Sequence, residues 1–181
     1  IQAQDIDPVK WQNFFDRARD LHLIPIVRLA TQNDYFNSKV WRKPTDNDIV
    51  DFANFLNSLN WPVKNRYIIV FNEVNRGDEW GGELSPEEYA TTLRFAIETF
   101  KKASPDFYMI SAGLDNAAPN QGTEYMNEYA YMTAMHDADP AVFTLLDGFS
   151  SHACPIPAFS QPPSVHTTNS ISSFTHERAL I

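Results

Sequence analysis

The stretch YIIVFNEVNRGDEW, residues 67–80, runs a branched apolar segment straight into Asn72, Glu73, Asn75, Arg76, Asp78 and Glu79. A carboxyl at the end of a buried strand, partly withdrawn from water, keeps its proton near neutral pH and can act as a general acid. An amide beside it can hydrogen-bond a hydroxyl of a reacting molecule. Glu73 and Asn72 have the types and spacing for that chemistry. A plain strand end with a solvated loop carboxylate would carry the same letters.

The second candidate lies in LLDGFSSHACP, residues 145–155, where His152 closes another apolar run. An imidazole can donate, accept or carry charge near neutral pH. Cys154 falls on the same side of a strand as His152 and could be a nucleophile only if a base is turned toward it. Arg28 ends an apolar run and can orient a carboxylate or pair within a wall. Asp115 and Asn116 follow FYMISAG and can bind hydroxyls or simply form a turn. Trp41 and Trp80 can stack on a flat apolar face or anchor loops. His136, with Asp137 and Asp139, reads as helix capping, and His166 and His176 have no ligand spacing. No metal site and no organic cofactor are expected.

These residues need elements to hold them. Asp7-Pro8 is an N-cap followed by proline at the first helical position. Trp11, Phe14, Phe15, Ala18 and Leu21 then recur at helical spacing. LIPIVRLA (23–30) reads as a buried strand, and a polar loop with Tyr35, Phe36 and Trp41 follows. Thr45 caps a second helix with Ile49, Phe52, Leu56 and Leu59 inward, ended at Asn60-Trp61-Pro62. YIIVF (67–71) is the next strand. Ser85-Pro86-Glu87-Glu88 reads as a capping box, and Tyr89, Leu93, Ile97 and Phe100 mark its helix. FYMISAG (107–113) is a strand, 124–136 a helix and TLLDGFSSH (144–152) a fourth strand. A long Pro/Ser/Thr-rich loop (155–170) and a last helix in ISSFTHERALI complete the chain.

Strands alternating with helices imply a parallel sheet covered by helices. The period of roughly 40 residues is that of a βα unit with long loops. The chain lacks the glycine-rich first turn of a nucleotide-binding doubly wound sheet. The expected fold class is α/β, made of parallel (β/α) units of a TIM barrel. One domain, residues 1–181, would supply strands three to six, about half to two-thirds of a (β/α)8 barrel. The ends IQAQDIDP and THERALI read as cuts within a longer protein.

Composition narrows the classes further. The 181 residues carry a formal net charge of −9, and no basic stripe suits nucleic acid. No apolar run approaches the ~20 residues of a membrane span. A single cysteine excludes an internal disulfide. Aromatic content of 13% suits either a core or a surface that stacks on sugar rings.

With these residues in place, YIIVFNEVN resembles the end of strand four in the clan A (β/α)8-barrel glycoside hydrolases, which carry an Asn-Glu pair there. LLDGFSSHACP resembles their strand six, which often ends in a histidine, and SSFTHERALI resembles the helix before strand seven. The resemblance covers nearly the whole chain. It implies a retaining glycosidase in which Glu73 is the general acid/base, Asn72 holds the sugar 2-hydroxyl and His152 supports the carboxylates. Arg28, Trp41, Trp80, Asp115 and Asn116 would bind the carbohydrate. The clan's nucleophile, a glutamate ending strand seven, would fall beyond Ile181, so the segment alone is expected to be inactive.

Val74 stands where the clan usually has proline, and Cys154 where an aromatic is common. These departures favour the alternative, a non-catalytic carbohydrate-binding or degenerate barrel protein. A serine or cysteine hydrolase on an open sheet would need a GxSxG elbow, which is missing. The sequence leaves the compartment open, with a secreted or cell-surface location favoured. Exposed barrel edges would favour self-association.

Overall fold

A computed structural model describes residues 1–32 and 39–181. Tyr35 and Phe36 lie outside the described residues. Along the chain come α1 (Pro8–Asp20), β1 (Ile26–Arg28), α2 (Asp46–Ser58), β2 (Arg66–Val70), α3 (Pro86–Ala103), β3 (Phe107–Ser111), β4 (Leu114–Asp115), α4 (Glu128–Ala138), β5 (Ser151–His152) and α5 (Phe174–Glu177), with 3-10 turns at Gly77–Glu79 and Val142–Leu145.

The helix starts follow their side-chain chemistry. Asp7 accepts from the amides of Val9 and Lys10, ahead of Pro8. Thr45 and Asp48 form a reciprocal capping box, each side chain bonding the other's backbone amide. At α3 only half of the expected box forms. Ser85 accepts from the Glu88 amide, but the Glu88 carboxylate turns away to Lys43 and the Trp80 indole. A long-range cation outcompetes the local amide.

The fold is mixed α/β with small parallel sheets. β1, β2 and β3 lie side by side in chain order, all parallel. β4 pairs in parallel with β5, and a parallel bridge joins Ile110 to Gly148. A further parallel bridge sets Gln2 beside Ala30. Each pairing joins neighbours in sequence, without the reversal of strand order that marks a doubly wound sheet.

The strands alternate in burial. Ile68, Val70, Phe107 and Met109 are buried, while Tyr67, Ile69, Tyr108 and Ile110 are half-covered. α3 packs on this buried face, with Phe100 edge-on to Phe107 at 5.0 Å between ring centroids. The Trp61 indole N–H caps the Leu56 carbonyl at 2.8 Å and the ring packs on Phe15.

Two expected strands differ. LIPIVRLA was expected to be a buried strand, but only Ile26–Arg28 is extended, and Leu23, Ile24 and Ile26 are 58%, 60% and 58% exposed. β1 pairs as a strand with β2 alone, while on its other side Arg28 accepts from the Ile1 amino group and Ala30 bridges Gln2, so Ile26 stays exposed and Val27 and Leu29 face the core. Phe14 and Leu21 of the α1 region are exposed as well. The strand expected over 144–152 begins instead as the turn Val142–Leu145, and only Ser151–His152 is extended. The Asp147 carboxylate takes the amide of Met109, and the Asp147 and Gly148 amides both bond its carbonyl. That local clamp replaces the start of a ladder. The helix expected at 124–136 runs Glu128–Ala138, capped by Asn127.

One buried phenol shapes the functional end. The Tyr89 hydroxyl donates to the Val70 carbonyl at 3.0 Å and accepts from the Ala112 amide at 2.8 Å. It stands in for a ladder bond between β2 and β3 and lets the chain leave both strands at their carboxyl ends.

Candidate functional site

The turn after β2 is strained. Phe71 has φ 71° and Glu73 φ 37°, the left-handed region that side chains avoid. Two such residues around Asn72 are the kind of conformation found where a fold holds reactive groups. The Glu73 amide donates to the Gly113 carbonyl at 2.9 Å, and its carbonyl accepts from the Arg76 amide at 2.9 Å. The side chain therefore projects from a turn pinned on both sides.

Glu73 Oε1 lies 3.0 Å from His152 Nδ1 at the end of β5. Glu73 Oε2 lies 3.4 Å from Arg76 Nη1, which also reaches Asp115 Oδ2 at 3.5 Å. Arg76 is held in turn by Asp78, at 3.1 and 2.9 Å, and lies over the Tyr125 ring. Arg28, Asn72, Glu73, Asp115 and His152 thus all stand at the carboxyl ends of parallel strands.

Glycine at 113 makes the pairing possible. A Cβ there would come within 2.3 Å of the His152 ring, so only a hydrogen leaves room for the imidazole to cross β4 toward Glu73. Asn75, fully buried, fixes the neighbouring strand end. Its amide donates to the Asp115 and Met126 carbonyls at 2.9 Å each, and its oxygen accepts from the Asp115 amide at 2.8 Å.

The electrostatics reverse one expectation. Glu73 was expected to keep its proton through desolvation. The hydrogen bond from His152 outweighs burial, with the His152, Arg76 and Arg28 charges adding to it, and holds the carboxyl below the usual range. The same bond raises the His152 imidazole. Both shifts favour the form in which Glu73 is ionised and His152 protonated. In the same polar run burial pushes up the Glu79 carboxyl, against a hydrogen bond from the Asn72 side chain. Burial also pushes up the Cys154 thiol, which makes it a poor nucleophile.

The other expected residues divide. Trp41 is half-buried and lines a small cavity with Arg28, Asn72 and Glu79. Trp80 is only 2% exposed, edge-on to Phe71 and Tyr89 with its N–H toward Glu88. It anchors the loop and offers no face to a sugar. Asn116 is 1% exposed, its amide donating to Glu128 and to the Thr168 carbonyl. It clamps the long loop from inside, away from any ligand. The Asp115 carboxylate is shared between the Ala117 amide and Arg76.

Four contributors carried no role in the sequence reading: Arg76, Asn75, Gly113 and Glu79. Arg76 and Glu79 stand in the same polar run as Glu73, so their proximity was visible and their partners were not. Gly113 has no sequence signal beyond being a glycine at a strand end. Among the described residues no three His, Cys, Asp or Glu side chains converge to hold a metal, and no helix is long and apolar enough to cross a membrane. Compared with known proteins, the chain matches no protein-family model, and no curated protein is similar enough to count as a relative.

Proposed function

We propose that this chain is a segment of a (β/α)8 barrel of the clan A glycoside hydrolases, and that Glu73 is its general acid/base in retaining hydrolysis of O-glycosyl bonds. The observation that carries this reading is the Glu73–His152 hydrogen bond at 3.0 Å. It unites the two residues on which the resemblance rests. Parallel pairing in chain order and half-covered apolar side chains opposite the α3 face support the barrel.

The pair can hold one proton for the reaction. With Glu73 ionised and His152 protonated, transfer from Nδ1 to Oε1 yields a carboxylic acid that can protonate the leaving oxygen. Glu73, ionised again, then takes a proton from the water that attacks in the second step. Asn72 would hold a sugar hydroxyl, and Arg76 would limit the drift of the carboxylate. The second carboxylate of a retaining pair stands ~5–5.5 Å from the first, and by resemblance it belongs to the seventh strand. The exposed Leu23, Ile24 and Ile26 at the β1 edge would be covered by a neighbouring strand or a second copy.

The rival reading, a carbohydrate-binding barrel without chemistry, is favoured by one observation. Both Glu73 oxygens are engaged, by His152 and Arg76, and the shift of the carboxyl favours its ionised form. Hydrolysis separates the two. The 181-residue chain should leave aryl glycosides at background, while the completed barrel should cleave them with retained anomeric configuration. Inversion, or turnover indifferent to Glu73→Gln, contradicts the proposal.

A further inference from the structure

Beside the Glu73–His152 pair, a cavity of about 40 Å³ lies between the end of β1 and the turn that follows β2. Arg28, Thr31, Trp41, Phe71, Asn72 and Glu79 line it. Its walls are tied by main-chain bonds. The Trp41 amide donates to the Asp78 carbonyl at 2.8 Å, and the Trp41 carbonyl accepts from Gly81 at 2.7 Å. The Arg42 amide donates to Gln32 at 3.2 Å, while the Thr31 hydroxyl donates to the Arg42 carbonyl. The pocket is therefore set before any ligand arrives, which lowers the ordering cost of binding.

Size and chemistry restrict the occupant. A site needs about 10–15 Å³ of such space to hold one water, so this one suits a polar group of a few atoms and not a whole ring. The lining offers an acceptor in the Glu79 carboxyl, donors in the Arg28 guanidinium, and both in the Asn72 amide. A hydroxyl, donor and acceptor at once, matches that set. A carboxylate or phosphate would meet the charges of Glu73 and Asp78 and the half-buried Glu79, and an ammonium, which has donors alone, would leave the Arg28 donors without an acceptor. The Trp41 and Phe71 side chains supply apolar wall for the carbon that bears the hydroxyl.

We infer that this cavity is a subsite for the exocyclic hydroxymethyl group of a neutral hexose unit, with Glu79 accepting from its hydroxyl and Arg28 donating to it. The inference rests on the carbohydrate reading of the neighbouring pair and adds a specificity residue to it. Burial favours the protonated form of the Glu79 carboxyl, which can donate as well as accept. In either form it distinguishes a hexose from a pentose, because the pentose has no hydroxyl to place between the half-buried Glu79 and the exposed Arg28.

The test compares sugars that differ only in that group. Binding of cellotetraose, mannotetraose and xylotetraose to the 181-residue chain is measured by calorimetry at pH 6. At least one of the two hexose oligomers should bind on the order of tenfold tighter than xylotetraose, the size of one hydrogen bond to a charged partner. Glu79→Gln should bring that ratio to within about twofold with xylotetraose unchanged. Trp41→Phe, from the opposite wall, gives a second reading should Glu79→Gln fail to fold, and should weaken the hexose selectively. A wild-type ratio near one, or a ratio that survives both Glu79→Gln and Trp41→Phe, overturns the subsite and leaves the carbohydrate reading in place. Absence of binding to all three sugars overturns both.

Discussion

The Glu73 carboxylate accepts a hydrogen bond from His152 Nδ1 at 3.0 Å although the two residues follow strands that are not neighbours. Glu73 leaves β2 and His152 ends β5, with the chain at Gly113 between them. The bond crosses the link between β3 and β4 because residue 113 has no side chain, and it shifts both partners toward their charged forms.

Removing the imidazole should raise the Glu73 pKa, since burial then acts with less opposition. Carbon-13 titration of the Glu73 carboxyl in His152→Ala reads this directly. The sign for stability follows from both partners. The lowered Glu73 contributes stability that is present above about 4.5 and is lost as pH falls through its folded value. The raised His152 contributes stability that is present below about 6.5 and is lost as pH rises through its folded value. The wild-type advantage over His152→Ala should therefore be fullest between those two pH values and shrink on either side.

Gly113→Ala should displace the His152 ring, because the new Cβ meets it at 2.3 Å. A cost of about 1–3 kcal/mol is expected for overpacking at a tight site. Chemical denaturation measures the cost. The Glu73 titration should move toward that of His152→Ala, and an unshifted Glu73 would mean that the ring finds another route.

Tyr89→Phe removes one oxygen and strands two backbone groups, the Val70 carbonyl and the Ala112 amide. Leaving buried polar groups unpaired costs roughly 1–3 kcal/mol each. Thermal unfolding should show the loss. Hydrogen exchange should also quicken at Ala112, while the interior of α3 keeps its protection.

Glu128 gives a pH effect away from the pair. It is fully buried, and burial pushes its pKa up to about 7, with the Glu177 and Asp115 charges raising it further and Asn116 and His152 opposing. Among the described residues one oxygen of Glu128 and one of the buried Glu177 have no partner, and the Ser151 and Ser173 hydroxyls take the other Glu177 oxygen. A carboxyl raised in the folded state loses stability as pH climbs from its unfolded value of about 4.5 toward 7. Glu128→Gln should be the more stable protein above pH 7, by on the order of 2 kcal/mol, with the difference fading toward pH 5. A pH-independent difference between the two proteins would contradict the assignment.

Much of the frame could be read from local chemistry. Asp7-Pro8, Thr45 and Ser85-Pro86 start helices where their caps say, and YIIVF and FYMIS form the strands that pair as β2 and β3. What stayed hidden depended on partners distant in sequence. Leu23 and Ile24 have the composition of a core strand, yet burial needs a neighbour on both sides of β1. Residues 144–152 have strand letters, but the Asp147 clamp on Met109 sets their path. The proton on Glu73 was misjudged for the same reason, since a sequence shows that a carboxyl leaves water and not which imidazole it meets. Trp80 and Asn116 have side chains fit to bind sugar, and packing turned both inward.

The central proposal, that Glu73 moves the proton in glycoside cleavage, is tested most directly by leaving-group dependence of Glu73→Gln in the complete barrel that the proposal calls for. Departure of a sugar alkoxide needs protonation, and departure of a dinitrophenolate does not. The account predicts a loss of at least about 100-fold in kcat/KM on natural oligosaccharides and a far smaller loss in the first step on dinitrophenyl glycosides. Equal losses on both substrates, or full activity on the natural ones, would contradict it and leave carbohydrate binding as the better reading.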